Sequence, residues 1–213
     1  MQRIFIANIE PQYFAGLEAL QAACFPNLGP DERMCVHHFA KQYEVFREGQ
    51  FVAVYHSANG EEQVIGQGSG FFIDFDFEHP DHTFFEICGQ LYFTNHDPNG
   101  AYYYGADISV HPDFRRRSVG KRLYKARQDL VRRCNRQGIV AGGMIPGYAK
   151  RKGQMSAREY IERVIAGEFY DRTLTFQLKN GFHVRGVLEN YIDHPPTDNW
   201  STLIEWANPD YRP

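Results

Sequence analysis

The chain has 213 residues, 43% of them hydrophobic and 15% aromatic, and its 23 Lys/Arg against 26 Asp/Glu give a formal net charge of −3. That is ample apolar material for a buried core and excludes a disordered chain, so one compact domain over 1–213, carrying an insertion, is expected. No apolar run reaches the length of a signal peptide or a bilayer span, which predicts a soluble, cytoplasmic protein with no membrane partner. Cys24, Cys35, Cys88 and Cys134 are scattered without a C-x-x-C pair and read as free thiols. The histidines include no H-E-x-x-H helix, and His79 and His82 flank Pro80 and Asp81 in a loop, so no metal is expected.

In chain order, residues 2–7 alternate as an edge strand, and Pro11 opens a helix with Phe14, Leu17, Leu20 and Ala23 on one face, ending near Phe25-Pro26. A second helix is expected over 30–47. Strands follow at 50–56 and 63–75 around the turn signal Ala58-Asn59-Gly60, with Gly66, Gly68 and Gly70 marking bulges or close backbone approach. An irregular, acidic and aromatic insertion occupies about 74–103. Strand character returns over 102–110. A basic loop then leads into a helix over 117–136, whose apolar positions Val119, Leu123, Ala126, Leu130 and Cys134 keep helical spacing before the stop at Gly138. A buried strand at 139–145 follows, then a short helix capped at Ser156-Ala157-Arg158-Glu159, a helix at 174–179, the Asn180-Gly181 turn, and strands at 182–191 and 202–206. Mixed strands and helices without repeats or linkers predict a layered α/β (α+β) domain.

The charge is segregated. Residues 115–137 carry ten Lys/Arg against the single acid Asp129, whereas 48–114 contain eleven acids and no Lys or Arg. Arg122, Lys125, Arg132, Arg133 and Arg136 read as the solvated face of an amphipathic helix. No helix-turn-helix, zinc-finger or ribonucleoprotein signature accompanies that helix, so a nucleic-acid partner is not expected. The run from Val110 to Lys121 is different: a strand end, a loop with Arg115, Arg116 and Arg117, and a first helical turn. Unpaired N–H groups at the positive end of a helix dipole, together with three guanidinium groups, suit a phosphate or diphosphate.

The stretch Ile108-Ser109-Val110-His111-Pro112-Asp113-Phe114-Arg115-Arg116-Arg117-Ser118-Val119-Gly120-Lys121-Arg122-Leu123-Tyr124 resembles the acetyl-CoA motif of the GNAT superfamily of N-acetyltransferases, [QR]-x-x-G-x-[GA]. Arg115 takes the first position and Gly120 the last, and Ser118 stands in place of the usual middle glycine. Asn180-Gly181-Phe182 resembles the Gly-Phe after the superfamily's last helix. The runs Asn95 to Gly100, Ile139 to Gly143 and Leu174 to Phe182 resemble the acetyltransferase domain sometimes joined to carbon–nitrogen hydrolases. With the chain ending at Pro213, a hydrolase partner is expected to be lost or separate.

The resemblance implies a mixed central sheet with a splay between strands four and five and helices on both faces. It also implies acetyl-CoA as co-substrate, its pyrophosphate on the backbone of Arg116, Arg117, Ser118, Val119, Gly120 and Lys121 and its pantetheine arm along Ile108, Ser109 and Val110. The Val110 N–H becomes an oxyanion donor. Counting back four from Gly181 reaches Gln177, where the superfamily's acidic tyrosine is expected and where glutamine has no proton to give.

Tyr102, Tyr103 and Tyr104 are substitutes or packing, and Tyr104 is the candidate carried forward. Asp107 is the first candidate base, the other reading being an outward, solvated strand residue; His111 and Glu86 follow. Eleven aromatics over 71–104, among acids and without a base, suit a small cationic amine through cation–π contact and carboxylate pairing, or else they are core. Asn95, His96 and Asp97 are the candidate acceptor residues. The alternative to an enzyme is a catalytically weak CoA-binding sensor or regulatory domain, and a homodimer is left open.

Overall fold

The computed structural model describes residues 2–28 and 30–213. Strand β1 (Arg3–Asn8) leads to helices α1 (Phe14–Cys24) and α2 (Val36–Phe46), then to the hairpin β2 (Phe51–His56) and β3 (Glu62–Ile73). The short helix α3 (Phe84–Ile87) precedes β4 (Tyr102–Val110), α4 (Val119–Arg133) and β5 (Gly138–Met144). Helices α5 (Ala157–Ile165) and α6 (Leu174–Lys179) and strands β6 (His183–Leu188) and β7 (Ser201–Ala207) complete the chain.

The strands form one sheet in the order β1-β2-β3-β4-β5-β7-β6, antiparallel except for β4 and β5. That parallel pair is short. It is joined only at Tyr102↔Gly138, Tyr103↔Ile139 and Tyr104↔Val140, after which the strands part. A bulge helps them to do so. Ser69 pairs with Asp107 but Gly70 with Gly105, so Ala106 is the extra residue and β4 bends there. The expected mixed sheet with a splay between its fourth and fifth strands is therefore present, and helices cover both faces. One core gathers Phe14, Leu17, Leu20, Phe39 and Phe84 from α1, α2 and α3. The other gathers Val119, Leu123, Leu130, Ile161 and Leu174 from α4, α5 and α6.

Two expectations change. The helix expected over 30–47 is a single turn at Pro30–Glu32 followed by α2, because Cys35 is extended (φ −110°) and its N–H is taken by the His38 ring nitrogen at 3.0 Å as a new cap. On α4 the buried stripe is Val119, Leu123, Tyr124, Arg127, Leu130 and Val131, so a charged residue stands where Ala126 is expected. The insertion is well packed. Thr83 and Glu86 cap α3 reciprocally, and Leu91 and Phe93 are fully buried although both have positive φ (70° and 58°).

Candidate functional site

The loop between β4 and α4 takes two left-handed residues, Arg116 (φ 63°) and Ser118 (φ 59°). Position 118 thus keeps the backbone that a glycine adopts most easily, and serine holds it at a cost of roughly 1 kcal/mol. The first intrahelical bond runs from the Arg122 N–H to the Ser118 carbonyl at 3.1 Å, so the N–H groups of Val119, Gly120 and Lys121 lie ahead of the helical ladder. Arg115, Arg116 and Arg117 are exposed around them, with Arg117 stacked 5.1 Å over the Phe114 ring. Gly120 is set by packing: a Cβ there would stand 3.0 Å from the Phe176 ring.

The edge of β4 beyond Tyr104 is open. His111 donates its N–H to Ile65 on β3 at 2.9 Å, and backbone direction alternates along a strand. The backbones of Val110 and Ile108 therefore face the splay. The Val110 carbonyl there accepts from Arg115 Nε at 3.2 Å.

Within the splay a cavity of about 140 Å³ passes through the sheet. From the α1/α2 side it is lined by Gln21, Glu32, Phe25, Phe84 and Tyr191, and from the α4/α6 side by Tyr124, Arg127 and Gln177, with Asp107 and Ile108 on β4 and Gly142 and Gly143 on β5. Asp107 is buried, not a solvated strand residue. Its Oδ2 accepts from Gln21 Nε2 at 2.6 Å and from Ser109 Oγ at 3.4 Å. Burial pushes its carboxyl up to about 6, although the Arg127 charge and the Gln21 and Ser109 bonds pull it down. Burial raises the Glu32 carboxyl as well.

Arg127, 2% exposed, lies flat on the sheet because neither Gly68 nor Gly105 has a side chain: a Cβ would stand 3.4 Å from its Nε at the first and 3.2 Å from Nη1 at the second. Its Nη2 donates to the Ser69 carbonyl at 2.7 Å, and its buried Nε has no partner among the described residues. Gln177 does occupy the position counted back from Gly181, buried beside Tyr124, whose hydroxyl it faces. Burial pushes the Tyr124 hydroxyl up to about 12, and the Arg127 charge and the Gln177 amide oppose the rise. A phenol therefore reaches this wall of the cavity from α4 rather than α6.

The other expected residues are placed elsewhere. Tyr104 is fully buried off the cavity wall, bonded to Tyr191 Oη at 2.9 Å and His82 Nε2 at 2.7 Å. Asn95 donates to the Glu86 and Ile87 carbonyls at 2.9 and 3.1 Å. His96 stacks on Phe46 with centroids 4.3 Å apart and takes the Phe72 N–H at 3.1 Å. Asp97 donates its N–H to Phe72 at 2.9 Å. His96 and Asp97 pin the insertion to β3, Asn95 ties it to α3, and none of the three lines the cavity.

Of the eleven aromatics over 71–104, Phe71, Phe72, Phe84, Phe93, Tyr103 and Tyr104 are core, and only Phe84 lines the cavity. Sequence reasoning missed Gln21, Glu32, Tyr124, Arg127 and Tyr191. Arg127 had a signal in its place between Leu123 and Leu130 at helical spacing; the others had none. No cluster of His, Cys, Asp or Glu that suits a metal occurs among the described residues. No described helix is long and apolar enough to cross a membrane.

A family model described as the acetyltransferase (GNAT) family matches residues 14–142, from α1 through the β4–α4 loop and α4 to β5. The chain belongs to the GNAT acetyltransferase family. Two relatives come from Bacillus subtilis (strain 168). The chain is 41% identical over 213 residues to a protein described as probable hydrolase YhcX, matching all of this chain but only 40% of that protein. It is 32% identical over 212 residues to uncharacterized N-acetyltransferase YkwB, covering 99% of this chain and 92% of the relative. Among solved structures, the GphF GNAT-like decarboxylase in complex with isobutyryl-CoA superposes with a TM-score of 0.79 at 20% identity, over 96% of this chain and 99% of that one. The last is a likeness of fold. The match to part of YhcX accords with the resemblance to acetyltransferase domains joined to hydrolases.

Proposed function

We propose that this GNAT chain moves an acetyl group from acetyl-CoA to the nitrogen of a small, cationic amine. The observation that carries the reading is the continuity of the site. A phosphate-binding loop, an unpaired strand edge and a cavity through the sheet follow one another, and the cavity opens toward two carboxylates on the far face. Arg115, Arg116 and Arg117 and the N–H groups from Arg116 to Lys121 hold the diphosphate, and the open backbones of Ile108 and Val110 take the amides of the arm as an added strand. When bound, acetyl-CoA supplies the activated acyl carbon. The Val110 N–H polarises its carbonyl oxygen, an effect worth about 3 kcal/mol at a well-formed oxyanion site.

Asp107, ionised near neutral pH yet held up at about 6, removes a proton from the amine. Tyr124 gives its proton to the leaving sulfur in place of the tyrosine that Gln177 replaces. Glu32 and Asp107 attract an ammonium group, and the rings of Phe25 and Phe84 line its approach.

The test is release of CoA thiol by the purified chain from acetyl-CoA with panels of diamines, polyamines, neutral amines and anionic amino compounds. Turnover confined to the cationic members is expected; turnover with only neutral or anionic amines refutes the acceptor class. Tight CoA binding with no thiol release from any amine makes the chain a sensor instead. A second reading rests on Arg127, a buried cation on the cavity wall that suits an acyl group carrying a carboxylate. The fold likeness to a structure described as a GNAT-like decarboxylase adds a reaction to test: release of carbon dioxide from malonyl-CoA without any amine.

A further inference from the structure

Behind the acceptor side of the cavity lies a chain of hydroxyl and imidazole groups that the transfer step above does not use. His82 Nδ1 is 2.6 Å from the Pro80 carbonyl, and His82 Nε2 is 2.7 Å from Tyr104 Oη, which is 2.9 Å from Tyr191 Oη. The direction of each bond is fixed. A carbonyl only accepts, so Nδ1 carries the hydrogen and neutral Nε2 presents a lone pair. Tyr104 must therefore donate to Nε2, and Tyr191 must donate to Tyr104. The free lone pair of the chain then lies on Tyr191, whose side chain lines the cavity, while His82 at the other end is only half-buried.

We infer that Tyr191, Tyr104 and His82 form a proton exit that carries the surplus proton of amine acylation out of the cavity, an inference that rests on the amine-transfer reading. The balance requires such an exit. An acceptor arriving as an ammonium ion has two protons to lose before it is a neutral amide. One ends on the departing CoA sulfur and the other must reach solvent. In the proposed step an acceptor N–H bond breaks and its proton passes to Tyr191 Oη. The proton of Tyr191 moves to Tyr104, that of Tyr104 moves to His82 Nε2, and the imidazolium then loses a proton to water. Return of the imidazole hydrogen to Nδ1, together with rotation of the two hydroxyls, resets the chain.

The surroundings suit the task. Tyr191 reaches its place because Gly142 has no side chain: a Cβ there would stand 2.1 Å from the Tyr191 ring and 2.5 Å from its Oη. Tyr104 and Tyr191 are buried phenols whose hydroxyls stay protonated, raised chiefly by burial, so they relay rather than store a proton. Burial also lowers His82, against the Pro80 carbonyl and the charges of Asp81 beside it and Glu86 on α3. Tyr104 from β4, Tyr191 from the segment after β6 and the Phe75 ring complete its surroundings. A neutral receiver with two nearby carboxylates accepts a proton and returns it to solvent.

The experiment compares the whole chain with its Tyr104→Phe and His82→Gln variants. With acetyl-CoA and a reactive diamine, both variants are expected to lose about tenfold or more in kcat with KM for both substrates kept. Two groups, Asp107 and His82, must be deprotonated in the intact chain. Its log kcat therefore falls with a slope of two at acid pH, and His82→Gln reduces the slope to one. Added imidazole restores part of the His82→Gln rate. Unchanged kcat, or a lost kcat with the slope still at two, overturns the inference. Nitrogen-15 NMR of the imidazoles, assigned with His82→Gln, is the readout that needs no turnover: it expects the Nδ1–H tautomer with Nε2 accepting, and loss of that bond in Tyr104→Phe. An Nε2–H tautomer refutes the exit. Absence of turnover with every amine, alongside the expected NMR, refutes amine transfer and with it the exit's role, while leaving the hydrogen-bonded chain itself established.

Discussion

Substituting Asp107 by Asn separates stability from catalysis at one atom. The carboxyl sits at about 6 in the folded chain against 3.8 for a free aspartate. Between those values the folded state binds more protons than the unfolded one, so this group's contribution to stability is full below pH ~4 and is lost as pH rises through ~6. At about 1.4 kcal/mol per pH unit, the gap is worth about 3 kcal/mol as an upper bound. Asparagine keeps an oxygen for the Gln21 Nε2 donor and removes the titration. The Asp107→Asn variant should therefore gain stability relative to the natural chain on going from about pH 4 to about pH 7.5, by up to about 3 kcal/mol, read as the difference of urea midpoints at each pH. Other carboxylates cancel in that difference. Thiol release should fall about tenfold or more in the same variant. A stability difference that stays flat with pH refutes the buried, poised carboxyl, and a normal rate in a variant with the expected pH swing refutes its role as base.

Arg127→Met removes the charge that pulls Asp107 down, so the carboxyl rises further and the acid limb of the pH–rate profile moves to higher pH; an unmoved limb contradicts the coupling. Ser118→Gly relieves a left-handed serine and should raise stability by roughly 0.5–1 kcal/mol with CoA affinity kept, measured by thermal unfolding and calorimetry. Gly120→Val drives a branched side chain into Phe176, 3.0 Å from the first added carbon, and should cost about tenfold or more in CoA affinity by calorimetry while far-UV circular dichroism is unchanged.

Much of the fold was legible because its signals are local. Strand β4 and helix α6 fall at the residues expected, Tyr102–Val110 and Leu174–Lys179, and the Ser156 cap of α5 bonds the Glu159 N–H at 3.1 Å as the capping box implies. The loop between β4 and α4, proposed to hold a diphosphate, was placed for the same reason, since a strand end, a basic loop and a periodic helix adjoin in sequence. Asn95, His96 and Asp97 were misleading because polar residues in an irregular segment look alike whether they meet a ligand or, as the structure places them, the Phe72 backbone and α3.

The sequence by itself determined the order of elements and the central strand–loop–helix unit, because periodicity and caps act over a few residues. Only the tertiary structure decided which polar groups are buried together. Asp107 owes its raised carboxyl to burial, which outweighs the opposing pull of Arg127, Gln21 and Ser109, and Tyr191 meets Tyr104 across 87 residues of chain. Those relations depend on a bulge at Ala106, on strands parting after Tyr104↔Val140, and on Gly68, Gly105 and Gly142, whose missing side chains leave room for the groups laid over them. Desolvation and hydrogen-bond direction are properties of that shared interior, and they exist only once the sheet has closed around it.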